Sequence, residues 1–127
     1  MFYIIIMSLL SAFNTNIINF LDDCILIFPC DTDFKVYKRA MEMLIKYNPK
    51  KINMIFKEYI EIYRDKIYSQ DEQFFLENKY DEVKKENEDE FLKVINKLKT
   101  YWLNITKDNK TKIWDWITLL VKISDRL

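Results

Sequence analysis

The stretch from Ser8 to Phe28, SLLSAFNTNIINFLDDCILIF, decides the fold class of this chain. Its apolar residues recur every three or four positions, at 9, 10, 13, 17, 20, 21, 24 and 28. That period puts them on one face of an α-helix, whereas the residues of a half-buried strand alternate every second position. Pro29 follows at once and disfavours any continuation. The stretch therefore predicts one amphipathic helix over 8–28.

The same period returns along the rest of the chain, between residues that commonly start or end helices. The predicted helix starts are Asp31 or Thr32, Asn48 with Pro49, Ser69 with Glu72 in a capping box, and Thr106 or Asp108. We predict an all-α protein, a compact single-domain bundle of about five helices. The approximate ranges are 8–28, 32–47, 49–67, a short 70–78, 89–105 and 109–124.

Length and local composition define the domain and its ends. A chain of 127 residues suffices for one core, so residues 1–127 are predicted to form a single helical domain. Residues 69–90 hold three basic and nine acidic side chains, and 79–88 are predicted to be an acidic loop. Residues 1–6 are predicted to be an extra helical turn, or an N-terminal extension if translation naturally starts at Met7.

The first ten residues are apolar except for one serine, as a membrane anchor or a signal peptide would be. They provide only about half of the roughly 20 residues that a membrane-spanning helix needs. They also lack the basic start and the small-residue cleavage site of a signal peptide. We therefore expect neither a membrane partner nor secretion.

The chain contains no glycine and no histidine. Without glycine there is no Walker loop, dinucleotide fingerprint or nucleophile elbow, and without histidine the commonest general base and zinc ligand are missing. Cys24 and Cys30 do not have a CxxC redox spacing, and we predict free thiols, with a disulfide across Pro29 as the alternative. We predict a protein that is not an enzyme and has no catalytic, cofactor-binding or metal-binding residues and no cofactor.

Aromatic residues are unusually frequent, with three tryptophans, eight tyrosines and nine phenylalanines. That is more aromatic surface than a helical core of this size needs, and aromatic residues are enriched at the centres of protein interfaces. The alternative is that they fill a bulky core. The candidate interface residues are Phe2, Tyr3, Tyr68, Tyr80 and Trp116.

Charge is segregated, although the 20 basic and 20 acidic residues balance overall. Residues 91–127 carry eight basic and three acidic side chains. Converging lysines can bind phosphates, and exposed aromatic rings can stack on bases. The candidate basic surface consists of Lys93, Lys97, Lys107, Lys110 and Lys112. The tryptophans of this region lie on the helical stripe, however, which favours a place in the core.

Five segments carry a resemblance to a known group of proteins. They are FNTNIINFLDDCILIFP, DTDFKVYKRAMEMLIKYNP, FKEYIEIYRDKIYSQDEQFFL, LKTYWLN and NKTKIWDWI. Together they resemble small, uncharacterised helical proteins of giant (nucleocytoplasmic large DNA) viruses, from Met7 to Ile123. Residues 1–6 depart from the way such sequences start. The resemblance implies a viral setting, in the virion or in the reducing cytoplasm of the host, and no activity that can be assigned to particular residues.

Three functional hypotheses follow from these observations. The first is a non-enzymatic interaction or structural protein of a large DNA virus, such as a minor capsid or tegument-like virion component, which binds a viral or host protein or a second copy of itself. The second is a nucleic-acid-associated protein that uses the basic C-terminal helices. The third is a helical mimic that binds a host factor.

Overall fold

The structure, a computed structural model, describes residues 2–77 and 90–127. The predicted acidic loop and Tyr80 lie outside these residues. The elements are α1 (Phe2–Ile27), α2 (Asp33–Tyr47), α3 (Lys51–Tyr68), α4 (Glu72–Glu77), α5 (Glu90–Tyr101), a single 3-10 turn (Trp102–Asn104) and α6 (Lys107–Asp125). Every regular element in the described part of the chain is helical, which confirms the all-α prediction.

The first helix starts at Phe2, six residues before the predicted start at position 8. No proline or glycine separates the first residues from the amphipathic stretch that follows, and Ser8 lies within the helix and does not start it. Once a helix is nucleated, each added residue gains a backbone hydrogen bond, so the apolar N-terminal residues extend α1. The result is a continuous helix of 26 residues.

Two predicted helix starts were wrong because the residues concerned end the preceding helix. The backbone amide of Asn48 donates to the carbonyl of Leu44 at 2.8 Å, so Asn48 closes α2 and the next helix begins only at Lys51. In the same way, the amide of Ser69 donates to the carbonyl of Asp65 and closes α3.

Capping at the other helix starts uses side chains close to the predicted ones. Asp71 caps α4, because its carboxylate accepts from the amide of Phe74 at 2.9 Å. Thr106 caps α6 as predicted, accepting from the amide of Asn109 at 3.1 Å. The predicted helix 89–105 is shorter than expected, since α5 gives way to the 3-10 turn after Tyr101.

The core forms around α1, which packs mainly against α2 and α6. Two contacts define the antiparallel order of α1 and α2. Asp22, toward the end of α1, pairs with Lys38 near the start of α2, and Asn14, in the middle of α1, bonds to Pro49 beyond the end of α2. The six buried residues of α1 are Phe13, Asn14, Ile17, Phe20, Leu21 and Cys24. Five of these belong to the predicted stripe, so the helical period correctly identified the inner face.

Aromatic residues fill much of this core. A bulky aromatic core is the alternative to an aromatic interface that the sequence left open. The rings of Trp102 and Trp114 lie 5.7 Å apart in an edge-to-face arrangement, and both contact Phe75. On the other side of the bundle, Phe13 contacts Phe56 at 5.4 Å. These ring pairs join α1, α3, α4 and α6 into one body.

Candidate functional site

The first six residues of α1, Phe2–Met7, project from the bundle and are here called the α1 tip. The side chains of Phe2, Tyr3, Ile4 and Ile5 are between 52% and 78% exposed, whereas Phe13 and Ile17 further along the helix are at most 1% exposed. Successive residues of an α-helix point about 100° apart. Four consecutive exposed residues therefore surround the helix, and the α1 tip is apolar on all sides.

A groove begins where α1 enters the bundle. It lies between α1, α2 and the connection to α3, with a volume of about 450 Å³. Its lining residues are Met7, Leu10, Ser11, Asn14, Thr15, Ile18, Glu42, Ile45 and Pro49. Met7 and Pro49 both line this groove, so it runs along α1 from the α1 tip to the α2–α3 connection.

A hydrogen bond holds this connection against α1. The side-chain amide of Asn14 donates to the backbone carbonyl of Pro49 at 2.9 Å, and Asn14 itself is buried. A buried polar group is costly to leave unpaired, so the bond favours one position of the connection relative to α1. The connection is therefore held in one position beside α1.

Three lysines, here called the basic collar, lie on the last turn of α2, on this connection and at the first residue of α3. Lys46, Lys50 and Lys51 are all exposed. The α1 tip itself is free of charge, and Asp22 is the first charged residue in the sequence. One end of the bundle thus combines an uncharged apolar projection with basic side chains at its base.

The five predicted interface residues do not form one surface. Phe2 and Tyr3 belong to the α1 tip, whereas Tyr68 is exposed at the C-terminal end of α3, near the opposite end of the bundle. Trp116 is half-buried, and its Nε1 donates to a carboxylate oxygen of Asp23 at 2.5 Å, so it links α6 to α1. Tyr80 lies outside the described residues.

The predicted basic surface is partly neutralised. Lys97 pairs with Asp33 at 2.7 Å and with Asp31 at 3.1 Å. Lys110 pairs with Glu72 at 3.1 Å and lies 5.5 Å above the ring of Trp102. Two of the five lysines thus serve contacts within the bundle. The remaining three differ in exposure: Lys107 and Lys112 are exposed, and Lys93 is half-buried.

The pair of Asp31 and Lys97 belongs to the most elaborate polar cluster of the molecule. Asp31 also accepts from the hydroxyl of Tyr101 at 2.5 Å and from the amide of Asp33 at 2.9 Å. Burial alone would raise the pKa of Asp31, but the hydrogen bonds from Tyr101, Asp33 and Lys97 together lower it below its ordinary value. Asp31, Asp33, Lys97 and Tyr101 thus bind one another, and these contacts join α5 to the start of α2.

Two other kinds of site have little support within the described ranges, 2–77 and 90–127. They contain no group of three or more histidine, cysteine, aspartate or glutamate residues arranged to hold a metal ion. An aromatic cavity between α3, α4, α5 and α6 measures only about 60 Å³. Phe56, Tyr59, Phe74 and Trp114 are among its walls. A cavity of this size accommodates a molecule no larger than one or two waters.

No family model, no curated protein and no solved structure matches this chain. Function must therefore be inferred from the surface of the molecule itself, where the α1 tip is the largest departure from an ordinary helical bundle. Ile4, Ile5 and the basic collar were not among the predicted site residues. One signal in the sequence indicates the tip, because no charged residue occurs in the first 21 positions.

Proposed function

We propose that the protein is a non-enzymatic interaction protein that binds a larger partner through the α1 tip. The observation that carries this proposal is the exposure of four consecutive large apolar residues, Phe2–Ile5, on a helix whose later residues, from Phe13 onward, belong to the core. Single exposed apolar residues are ordinary, but a contiguous apolar patch is typical of a surface that another molecule covers.

The bundle is suited to present this tip in a fixed direction. The tip continues a helix that is anchored by Phe13, Ile17 and Phe20, all at most 1% exposed. A helix held in this way loses little conformational freedom when its end is bound, and such preorganisation favours affinity. The rest of the molecule therefore acts as a rigid support.

The resemblance to proteins of giant viruses supports a role as a structural component of a virus particle, or as a binder of another viral or host protein. An attachment function of this kind needs a durable surface and no reactive centre. The absence of histidine and glycine from the chain agrees with that requirement.

The other two hypotheses have less support. Nucleic-acid binding would require free basic side chains, yet Lys97 and Lys110 are paired with carboxylates. A host-helix mimic would require an apolar groove, but the groove beside α1 contains the polar residues Asn14 and Glu42. No feature of the described surface favours either over attachment through the α1 tip.

Site-specific photo-cross-linking tests the proposal. Tyr3 and Leu26 are similarly exposed, at 72% and 76%, and lie near opposite ends of the same helix. Each is replaced in turn by benzoylphenylalanine, and the chain is irradiated in the cells that naturally produce it. We expect a discrete adduct from position 3, identified by mass spectrometry, and little from position 26. Equal adducts from both positions, or none from position 3, would refute the proposal.

A further inference from the structure

We propose that the partner of the α1 tip is the surface of an anionic lipid bilayer, into which the tip inserts while the bundle stays in water. This inference rests on the proposed function, since it names the partner that covers the tip. It also goes against the expectation from the sequence that the chain has no membrane partner. That expectation rested on the length that a spanning helix needs, and an inserted helix end need not span the bilayer.

The distribution of apolar residues around the tip favours lipid over protein. Phe2, Tyr3, Ile4 and Ile5 cover nearly the whole circumference of the helix and are all exposed. A partner helix, or a second copy of this chain, would cover one side and leave the opposite side in water. Acyl chains surround an inserted helix end completely, so a lipid phase shields all four residues together.

The length of the tip suits insertion to a shallow depth. Six residues at about 1.5 Å per residue extend roughly 9 Å along the helix axis. Helices that bind at the membrane surface bury their apolar side chains to about 5–10 Å, at the boundary between headgroups and acyl chains. The six residues of the tip are therefore long enough to reach this boundary.

The basic collar provides positive charge, complementary to anionic lipid, on the side of the bundle from which the tip projects. Lys50 follows Pro49 directly, and Pro49 lines the groove together with Met7, the last residue of the tip. The bond from Asn14 to Pro49 puts the collar seven residues, or roughly 10 Å, behind Met7 along α1. When the tip is inserted, Lys46, Lys50 and Lys51 therefore face the lipid headgroups across about one Debye length. Each such lysine is attracted to anionic headgroups, over a range set by the ionic strength.

The remainder of α1 cannot follow the tip into the bilayer without unfolding the protein. By length and composition α1 could cross a membrane, and it is the one helix of the described residues that could. However, Phe13, Ile17, Phe20 and Leu21 are at most 1% exposed and belong to the core. Insertion is therefore limited to the residues that already project from the bundle.

Vesicle flotation of the full chain tests this inference. The vesicles consist of phosphatidylcholine alone, or of equal parts phosphatidylcholine and phosphatidylserine. We expect binding to the anionic vesicles to be about tenfold stronger or more at low salt, and to weaken as salt is added. The double variant Ile4→Ser with Ile5→Ser should lose about tenfold or more in binding, because two exposed side chains no longer enter the lipid.

Two matched variants separate the apolar contribution from the charge. The variant Leu26→Ser with Leu103→Ser removes two aliphatic side chains that are each 76% exposed and lie outside the tip, and it should bind like the original chain. Replacing all three collar lysines by glutamine should abolish the preference for anionic vesicles. Circular dichroism should show that every variant keeps the same helical content, since all the altered side chains are exposed.

Failure of this inference can be told from failure of the proposed function. If the original chain binds neither kind of vesicle but self-associates or cross-links to a protein through position 3, the tip is a protein-binding surface and the lipid inference is wrong. If the double variant Ile4→Ser with Ile5→Ser binds vesicles as the original chain does, the inference is also wrong. If the tip variant alters neither lipid binding nor association, both proposals fail.

Discussion

Asp31 illustrates at the scale of one residue how a carboxylate can join two helices. Its side chain is 9% exposed and accepts hydrogen bonds from Tyr101, Lys97 and the amide of Asp33. These bonds stabilise the charged form and lower the pKa of Asp31 in the folded protein. Stability gained from a lowered pKa is present above the ordinary value of 3.8 and is lost as the pH falls through the folded-state value.

We predict that Asp31→Asn lowers the free energy of unfolding by about 1–2 kcal/mol at neutral pH, because hydrogen bonds to a charged group are replaced by neutral ones. The difference from the original chain should shrink as the pH is lowered below 3.8, where the unfolded carboxyl group becomes protonated. Urea denaturation at neutral pH and at about pH 3 measures the loss of stability and its dependence on pH.

Asp22→Asn is the matched control. Asp22 pairs with Lys38 at 2.7 Å, but its side chain is 47% exposed, and exposed ion pairs contribute only about 0–1 kcal/mol. A similar loss of stability in both variants, or a difference for Asp31→Asn that stays constant with pH, would contradict the role given to Asp31.

At the scale of the elements, Gln70 shows how this chain ends a helix without glycine. Helices often end with a glycine in the left-handed region, and this chain contains no glycine. Instead Gln70 adopts a φ of 52°, directly after the end of α3. The left-handed conformation lets the amides of Gln70 and Asp71 donate to the carbonyls of Ile67 and Lys66. Those bonds close α3 and direct the chain into α4.

We predict that Gln70→Gly raises the free energy of unfolding by about 0.5–1 kcal/mol, because glycine adopts positive φ without the steric penalty of a side chain. Gln70→Val should lower it, since a branched side chain is strongly disfavoured in this region. Urea denaturation measures the effect, and Gln73→Gly inside α4 is the control. Glycine at that position should destabilise the protein by about 1 kcal/mol. Equal losses at both positions would contradict the account of Gln70.

The elements also show what could be predicted from sequence. The inner face of α1 was predictable because periodic apolar residues such as Phe13, Ile17 and Phe20 have to share one side of a helix. The starts of α3 and α4 were not, since Asn48 and Ser69 are good starting residues that the preceding helices use for their last hydrogen bonds. Competition between neighbouring helices for one residue is decided by the path of the chain, which local sequence does not contain.

At the scale of the whole molecule, burial separates the two parts of α1. Ile4 and Ile17 belong to the same helix and are equally apolar, yet they are 67% and 1% exposed. Their difference depends on where α2, α3 and α6 end, so no local pattern could predict it. The pairing of two lysines of the predicted basic surface depends on the fold in the same way, because the partners of Lys97 and Lys110 come from α2 and α4.

The most direct test of the central claim, that the α1 tip alone enters a partner surface, is an environment-sensitive fluorophore at two positions. Ile4→Cys and Leu26→Cys are each labelled in a chain that carries Cys30→Ser, since Cys30 is exposed. Burial raises the pKa of the Cys24 thiol, so that residue stays protonated and unlabelled. On addition of anionic vesicles, we expect emission at shorter wavelength from position 4 and no change from position 26. Equal shifts at both positions, or no shift at position 4, would contradict the account.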